Sequence, residues 1–280
     1  MNAPTRPLLR YFGGKWKLRH WIIGHFPEHQ FYAEPFAGAV SVLLAKTRAP
    51  GGEIINDLNG STINLFRVMQ DREQAEELQR RLDWTPYAKA ELELSRQPTN
   101  DPIELARRLV IRSFMGIEVA GVRGTASGFR MGNVDLRRRD QAGSFRNTGR
   151  DWNNWKVALF AIRERLADVM IYERDALEFI ALMSAPDSLI YVDPPYHLDT
   201  RTRQHGGSRY AVEFGPDRHL ELVEVLLRTP AMVVLSGYPH GSYEPLENAG
   251  WRRVDKDSRA NMSTRRRTEC LWISPNCKAA

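Results

Sequence analysis

The sequence predicts an α/β protein built on a mainly parallel sheet. Three observations predict it: two series of short apolar segments of strand length, helical patterns interleaved with them, and a middle region of purely helical periodicity that gives way to an aperiodic basic stretch. At 280 residues, 42% hydrophobic and 26% charged, the chain is long enough to bury a sizeable core without metals or disulfides. Disordered, collagenous and membrane-spanning classes all depart from that composition. Its two cysteines, Cys270 and Cys277, are too few for a disulfide framework and lack the partners of a zinc site. No apolar run approaches the roughly 20 residues that cross a bilayer. The N-terminus lacks the apolar core and cleavage site of a secretory signal, so the expectation is a cytoplasmic protein with no membrane partner.

Taken in order, 31–34 and 53–56 read as strands, with 39–47, rich in Ala, Val and Leu, as the helix between them. Segments 63–82 and 102–115 are helical in pattern. From 116 to 150 the chain is rich in Gly, Ser, Asn and Arg without periodicity, which predicts a helical subdomain carrying a long loop. Strands then return at 169–172, 188–192 and 232–236, with helical patterns at 155–166, 176–183 and 219–227. Strands alternating with helices of that length imply parallel pairing with helices on both faces.

Charge is uneven. Lys and Arg outnumber Asp and Glu by 40 to 34, a net +6. Ten Arg against five acids fall within 101–150, and seven basic against two acidic residues within 252–267. One such run is ordinarily a solvated face; two in one chain favour a polyanionic partner.

The sharpest local signal is the apolar strand that runs into Asp193-Pro194-Pro195-Tyr196. Two prolines remove two donors and fix φ, so the chain leaves the strand rigidly, holding a carboxylate, a carbonyl and an aromatic ring at the edge where open α/β sheets bind ligands. Carboxylate and carbonyl suit the two hydrogens of an exocyclic amine, and the ring suits the heterocycle bearing it. A second constellation is the turn Glu34-Pro35-Phe36-Ala37-Gly38, followed by Asn56-Asp57-Leu58-Asn59. An acid about 20 residues beyond a glycine turn is the ribose acceptor of nucleotide-binding β-α-β units. Without the full glycine pattern, which serves pyrophosphate, an adenosine cofactor lacking phosphates fits better than a dinucleotide. The third is Tyr11-Phe12-Gly13-Gly14-Lys15, where Lys15 suits a carboxylate. Read singly, each of the last two also serves as an ordinary turn.

Together these segments resemble the D12 class of DNA adenine N6-methyltransferases, in content and in order: Tyr11 to Lys15, Glu34 to Gly38, Ile55 to Asn59 and Tyr191 to Tyr196. The resemblance implies a Rossmann-like methyltransferase sheet, formed by 1–60 and 151–280, with an inserted, mainly helical target recognition domain at 61–150. It implies S-adenosylmethionine as cofactor, contacted by Tyr11, Lys15, Phe36, Gly38, Asp57, Asp175 and Asp193, and catalysis by Asp193, Pro194 and Tyr196 without a metal. It implies double-stranded DNA as partner; the basic insert then supplies phosphate and base contacts, with Arg123, Arg130, Arg137, Arg138 and Arg139 the candidates. The Phe-Ala-Gly-Ala-Val turn lacks the second glycine or serine of many relatives, so the cofactor pocket is expected to differ in detail. Methylation of cytosine N4, of a protein or RNA amino group, or a catalytically silent nucleic-acid-binding module on the same scaffold are the alternatives.

Overall fold

The structure, a computed structural model, describes residues 4–10, 13–116, 128–130, 148–200, 213–259 and 266–277. In chain order the helices are α1 (Arg19–Ile23), α2 (Gly60–Gln70), α3 (Arg72–Asp83), α4 (Lys89–Leu94), α5 (Pro102–Met115), α6 (Thr148–Lys156), α7 (Leu159–Leu166), α8 (Ala176–Leu182), α9 (Pro216–Arg228) and α10 (Glu244–Asn248). The strands are β1 (Phe31–Glu34), β2 (Gly52–Asn56), β3 (Val169–Tyr172), β4 (Ser188–Val192), β5 (Met232–Gly237), β6 (Arg252–Arg259) and β7 (Arg266–Ile273). No described helix is long and apolar enough to cross a membrane. The chain divides into two compact units, one of Met1–Gly14 with Gly60–Ala167, the other of Lys15–Asn59 with Asp168–Ala280.

In the second unit seven strands form one sheet in the order β3-β2-β1-β4-β5-β7-β6. The first five are parallel, and β7 pairs antiparallel with both β5 and β6. This is the Rossmann-like α/β class that the sequence predicts. Alternate residues of the strands face opposite ways. Ala33, Ile54, Ile190, Val192, Val233 and Leu235 join one buried cluster with Phe179 and Ile180 of α8 and Leu222, Val223 and Leu226 of α9. On the other face Phe26 packs on Tyr32 and Tyr191, with centroids 5.7 and 5.9 Å away. From β1 the chain moves outward through β2 to β3, then returns to the far side of β1 as β4. The crevice of such a sheet lies where that order reverses, at the carboxyl ends of β1 and β4.

Three expectations need correction. The segment 39–47 is a buried series of turns and not a helix: Gly38 and Val40 have φ of 49° and 47°, and the Leu43 N–H, which a helix would bond to residue 39, goes to the Glu34 carboxyl at 2.8 Å. The helical pattern 63–82 is two helices, because Asp71 caps the second, its side chain accepting from the Gln74 N–H at 2.9 Å. The pattern 155–166 likewise breaks after Lys156, where the Ala158 N–H turns back to the Trp155 carbonyl. The basic run 252–267, which the sequence leaves without an assigned element, supplies β6 and the first residues of β7, too uniformly polar to carry a strand pattern.

The first unit is helical. Trp152 and Trp155 of α6 are fully buried beside Phe114 of α5, with Phe114 and Trp155 centroids 4.5 Å apart. Each indole N–H donates to a carbonyl, Thr85 for Trp152 and Pro7 for Trp155, so the two largest core side chains leave no polar atom stranded. Helices α6 and α7 share this unit with α2 to α5, whereas the sequence reading groups 151–166 with the sheet. Removing the cap of α3 with Asp71→Ala is expected to lower stability by about 1 kcal/mol, read as a fall in the urea midpoint with an unchanged slope; an unchanged midpoint would deny the cap that role.

Candidate active site

The strand ends assemble the site. Strands β1 and β4 are parallel neighbours, with Ala33 opposite Ile190, so Glu34 to Gly38 and Asp193 to Tyr196 emerge at the same sheet edge. β2 pairs on the other side of β1, with Glu34 opposite Ile55, and brings Asp57 to that edge. β5, the far neighbour of β4, contributes Ser236 in its last residues.

Asp193 is held from two sides by the same oxygen. Oδ1 accepts from the Ser236 hydroxyl at 2.8 Å and from the Lys15 ammonium at 2.9 Å. Lys15 is 5% exposed and the Asp193 side chain 20%. Among the described residues no hydrogen bond or ion pair engages Oδ2, nor does any engage the Pro194 carbonyl. A carboxylate so arranged is oriented through one oxygen and open at the other. Lys15 also lies 4.6 Å from the centroid of the Tyr196 ring, so one cation ties carboxylate to ring. Tyr196 is buried; its hydroxyl donates to Oε2 of Glu269 on β7 at 2.9 Å, and Tyr238 packs edge-on against it at 4.6 Å. Burial above all, then the Glu269 and Asp193 charges, hold the phenol well above its usual pKa, so it remains a donor.

The second cluster is the Gly38 turn. The Gly38 N–H donates to Asp57 Oδ2 at 2.8 Å, and the Asn59 N–H to Oδ1 at 2.9 Å. Burial raises the Asp57 pKa, opposed by backbone donors from Asn59, Gly38 and Leu58. Asn56 supports the same bend, its amide nitrogen donating to the Pro35 and Arg174 carbonyls at 3.0 Å each. A β-branched residue at positive φ, as at Val40, stores about 1–3 kcal/mol of strain of the sort that collects at ligand sites. Beneath lies Glu34, whose Oε1 accepts from the Tyr32 hydroxyl and the Leu43 N–H, both at 2.8 Å. Burial pushes its pKa up to about 8, with the two hydrogen bonds opposing and the Asp193 and Glu53 charges adding.

Of the residues the sequence nominates, Lys15, Asp193 and Tyr196 are in mutual contact, and Gly38 bonds Asp57. Phe36 is partly buried, edge-on to Phe214 at 5.3 Å. Asp175 stands apart: it caps α8, accepting from the Leu177 N–H at 2.9 Å, and pairs with Arg218, with no described bond to Asp193 or Asp57. Tyr11, Arg123, Arg137, Arg138 and Arg139 lie outside the described residues. Arg130 is described in the helical unit, where its N–H donates to the Met115 carbonyl and its carbonyl accepts from Tyr87. Ser236 and Glu269 escaped sequence reading. The only available signal for Glu269 is that it is the single acid among residues 260–273, flanked on one side by an arginine run and on the other by an apolar one.

Next to Tyr196, His197 stacks between His219 and His240 with centroids 3.6 Å from each. His197, Asp199 and His240 have the chemistry of metal ligands. Their arrangement is a hydrogen-bonded one: Ser242 Oγ lies 2.8 and 2.9 Å from the His197 and His240 rings, and Asp199 3.1 Å from His240. Parallel rings 3.6 Å apart do not aim two nitrogen lone pairs at one point, so the cluster reads as packing for the segment after Tyr196.

The family profile described as D12 class N6 adenine-specific DNA methyltransferase matches residues 11–231. No curated protein matches the chain. Among solved structures it is similar to yhhF from Escherichia coli, named provisionally as a methyltransferase, at 10% identity and a TM-score of 0.33, over 92% of this chain and 82% of that one.

Proposed function

The chain belongs to the D12 class N6 adenine-specific DNA methyltransferases, DNA-methylating enzymes, and from that premise we propose that it moves a methyl group from S-adenosylmethionine to the N6 amino group of an adenine extruded from double-stranded DNA. The observation that carries the reading is Asp193: its Oδ1 is pinned by Ser236 and Lys15, its Oδ2 has no described partner, and it sits ahead of a buried proline-anchored tyrosine.

The amino nitrogen of adenine is a poor nucleophile because its lone pair is delocalised into the ring. Asp193 Oδ2 and the Pro194 carbonyl accept its two hydrogens, which lets the nitrogen become pyramidal and sets acceptors beside the positive charge that develops on it. The prolines keep both acceptors in register, so little reorganisation is left for the moment of reaction. Lys15 and Ser236 keep the carboxylate from rotating. Extruding the base costs a few kcal/mol, and stacking on Tyr196 offsets it by roughly 1–3 kcal/mol.

The cofactor assignment rests on fit. A carboxylate has about four acceptor sites, so Asp57, which receives backbone N–H groups from Gly38, Leu58 and Asn59, keeps capacity for a ribose hydroxyl. The bend at Gly38 and Val40 lets the backbone approach a nucleoside closely, and nothing in it forms a phosphate cradle. Lys15, Tyr11, Phe36 and Asp175 are assigned to the remainder of the cofactor, Asp175 while still capping α8. Bound there, S-adenosylmethionine supplies an electrophilic methyl group. The helical unit, with the basic stretch 116–150, is assigned to target recognition, its arginines to phosphates and guanine edges.

The test is transfer of labelled methyl from S-adenosylmethionine to unmethylated genomic DNA, with sequencing of the product. N6-methyladenine at one recurring sequence is expected; N4-methylcytosine, or no label, would overturn the reading. With the target mapped and replaced by 2-aminopurine, Tyr196→Ala is expected to weaken extrusion by about 5- to 150-fold, the equivalent of 1–3 kcal/mol of lost stacking. A fluorescence response equal to that of the unaltered enzyme would remove Tyr196 from the stacking role.

A further inference from the structure

A base stacks on any aromatic face, so a stacking residue has no need of a hydroxyl. Tyr196 has one, and it is buried, where a hydroxyl costs free energy unless it finds a partner. That partner is Glu269, 73 residues away on β7, which accepts at 2.9 Å and is itself 8% exposed. A charge-assisted bond of this sort is about twice as strong as a neutral one. The ring is therefore fixed at both ends. Its Cα end leaves the two prolines, and its oxygen end is tied to a strand outside the parallel part of the sheet. Tyr238 fills one edge, and the Lys15 ammonium lies 4.6 Å from the ring centroid.

Resting on the function proposed above, we infer that Glu269 is a positioning residue for that reaction: through the Tyr196 hydroxyl it sets the plane against which the extruded adenine stacks. Glu269 reaches the site through the Tyr196 hydroxyl, so the role inferred for it is base placement. Loss of one hydrogen bond to a charged group corresponds to roughly 10- to 100-fold, and that is the expected fall both in single-turnover methyl transfer and in 2-aminopurine extrusion for Glu269→Ala. Binding of labelled S-adenosylmethionine, followed by equilibrium dialysis, is expected to stay unchanged. Glu269→Gln retains an acceptor oxygen and is expected to recover most of both losses.

The experiment is a double-mutant cycle on duplex DNA carrying the mapped site, with Glu269→Ala, Tyr196→Phe and the pair. Tyr196→Phe deletes the same bond without disturbing the charge, so it carries the test even where Glu269→Ala does not fold. Extrusion impaired alike in both single variants, with little added by combining them, supports the inference. Unimpaired extrusion in Glu269→Ala or in Tyr196→Phe overturns it, as does a Glu269→Ala loss that recurs in full on the Tyr196→Phe background. The parent reading is checked apart from this: an unimpaired Tyr196→Ala removes the stacking role itself, whereas an impaired Tyr196→Ala beside an unimpaired Glu269→Ala removes only the role of Glu269.

Discussion

Asp193→Asn is expected to slow methyl transfer by about 100-fold or more, the loss that follows removal of one group aimed at developing charge, while leaving the protein folded. Asparagine keeps an oxygen for Ser236 and Lys15, which bond Oδ1 at 2.8 and 2.9 Å, and changes the second oxygen into an NH2 donor. A donor facing the adenine amine repels the hydrogens that the carboxylate would accept. Alanine is the coarser variant, since breaking a buried ion pair by deleting one partner costs about 3–5 kcal/mol and mixes stability with chemistry. Single-turnover transfer, together with binding of duplex DNA and a melting curve, separates the two effects. Turnover near that of the unaltered enzyme in Asp193→Asn would remove the acceptor role of Oδ2.

The second large effect is on stability. Burial raises the Glu34 pKa from 4.5 to about 8, so between those values the folded protein holds a proton that the unfolded chain has released. The unfolded state then binds fewer protons, and stability falls as pH rises through that window, flattening above about pH 8. The loss accumulates across that window and amounts to roughly several kcal/mol. Glu34→Gln cannot ionise and keeps an oxygen for Tyr32 and Leu43, so its urea midpoint is expected to match that of the unaltered protein near pH 5 and to exceed it at about pH 8. Parallel midpoint profiles for the two proteins would show that Glu34 ionises normally. A neutral Glu34 also has a bearing on the site: it spares Asp193 a second buried anion, the interaction that contributes to its raised pKa.

Sequence legibility followed physical range. The inner parallel strands β1, β2, β4 and β5 are buried along most or all of their length, so their apolar residues reveal them, whereas β3, at the sheet edge, is legible from its apolar composition although only Val169 is buried. β6 is almost wholly polar and charged, and β7 begins with two arginines and turns apolar only in its second half, so nothing local distinguishes the run from a solvated basic loop. Residues 39–47 carry helical composition, but a carboxylate five residues upstream of the stretch takes one of its N–H groups, and composition is blind to that. The same division holds in the site. Asp193, Pro194 and Tyr196 are legible because they stand within one short motif, and Gly38 and Asp57 because one strand–turn–strand unit of ordinary length separates them. Ser236 and Glu269 reach the corner from 43 and 73 residues away, a proximity set by the strand order β4-β5-β7 and written nowhere in the neighbouring residues.

The most direct measurement is the distance from Asp193 Oδ2 to the target nitrogen in a crystal structure of the protein with its mapped duplex and an unreactive S-adenosylmethionine analogue. An extruded adenine whose N6 lies about 2.6–3.2 Å from that oxygen, with its ring against Tyr196, is the predicted result. An adenine still paired in the duplex, or extruded with its amino group turned away from Asp193, would contradict it.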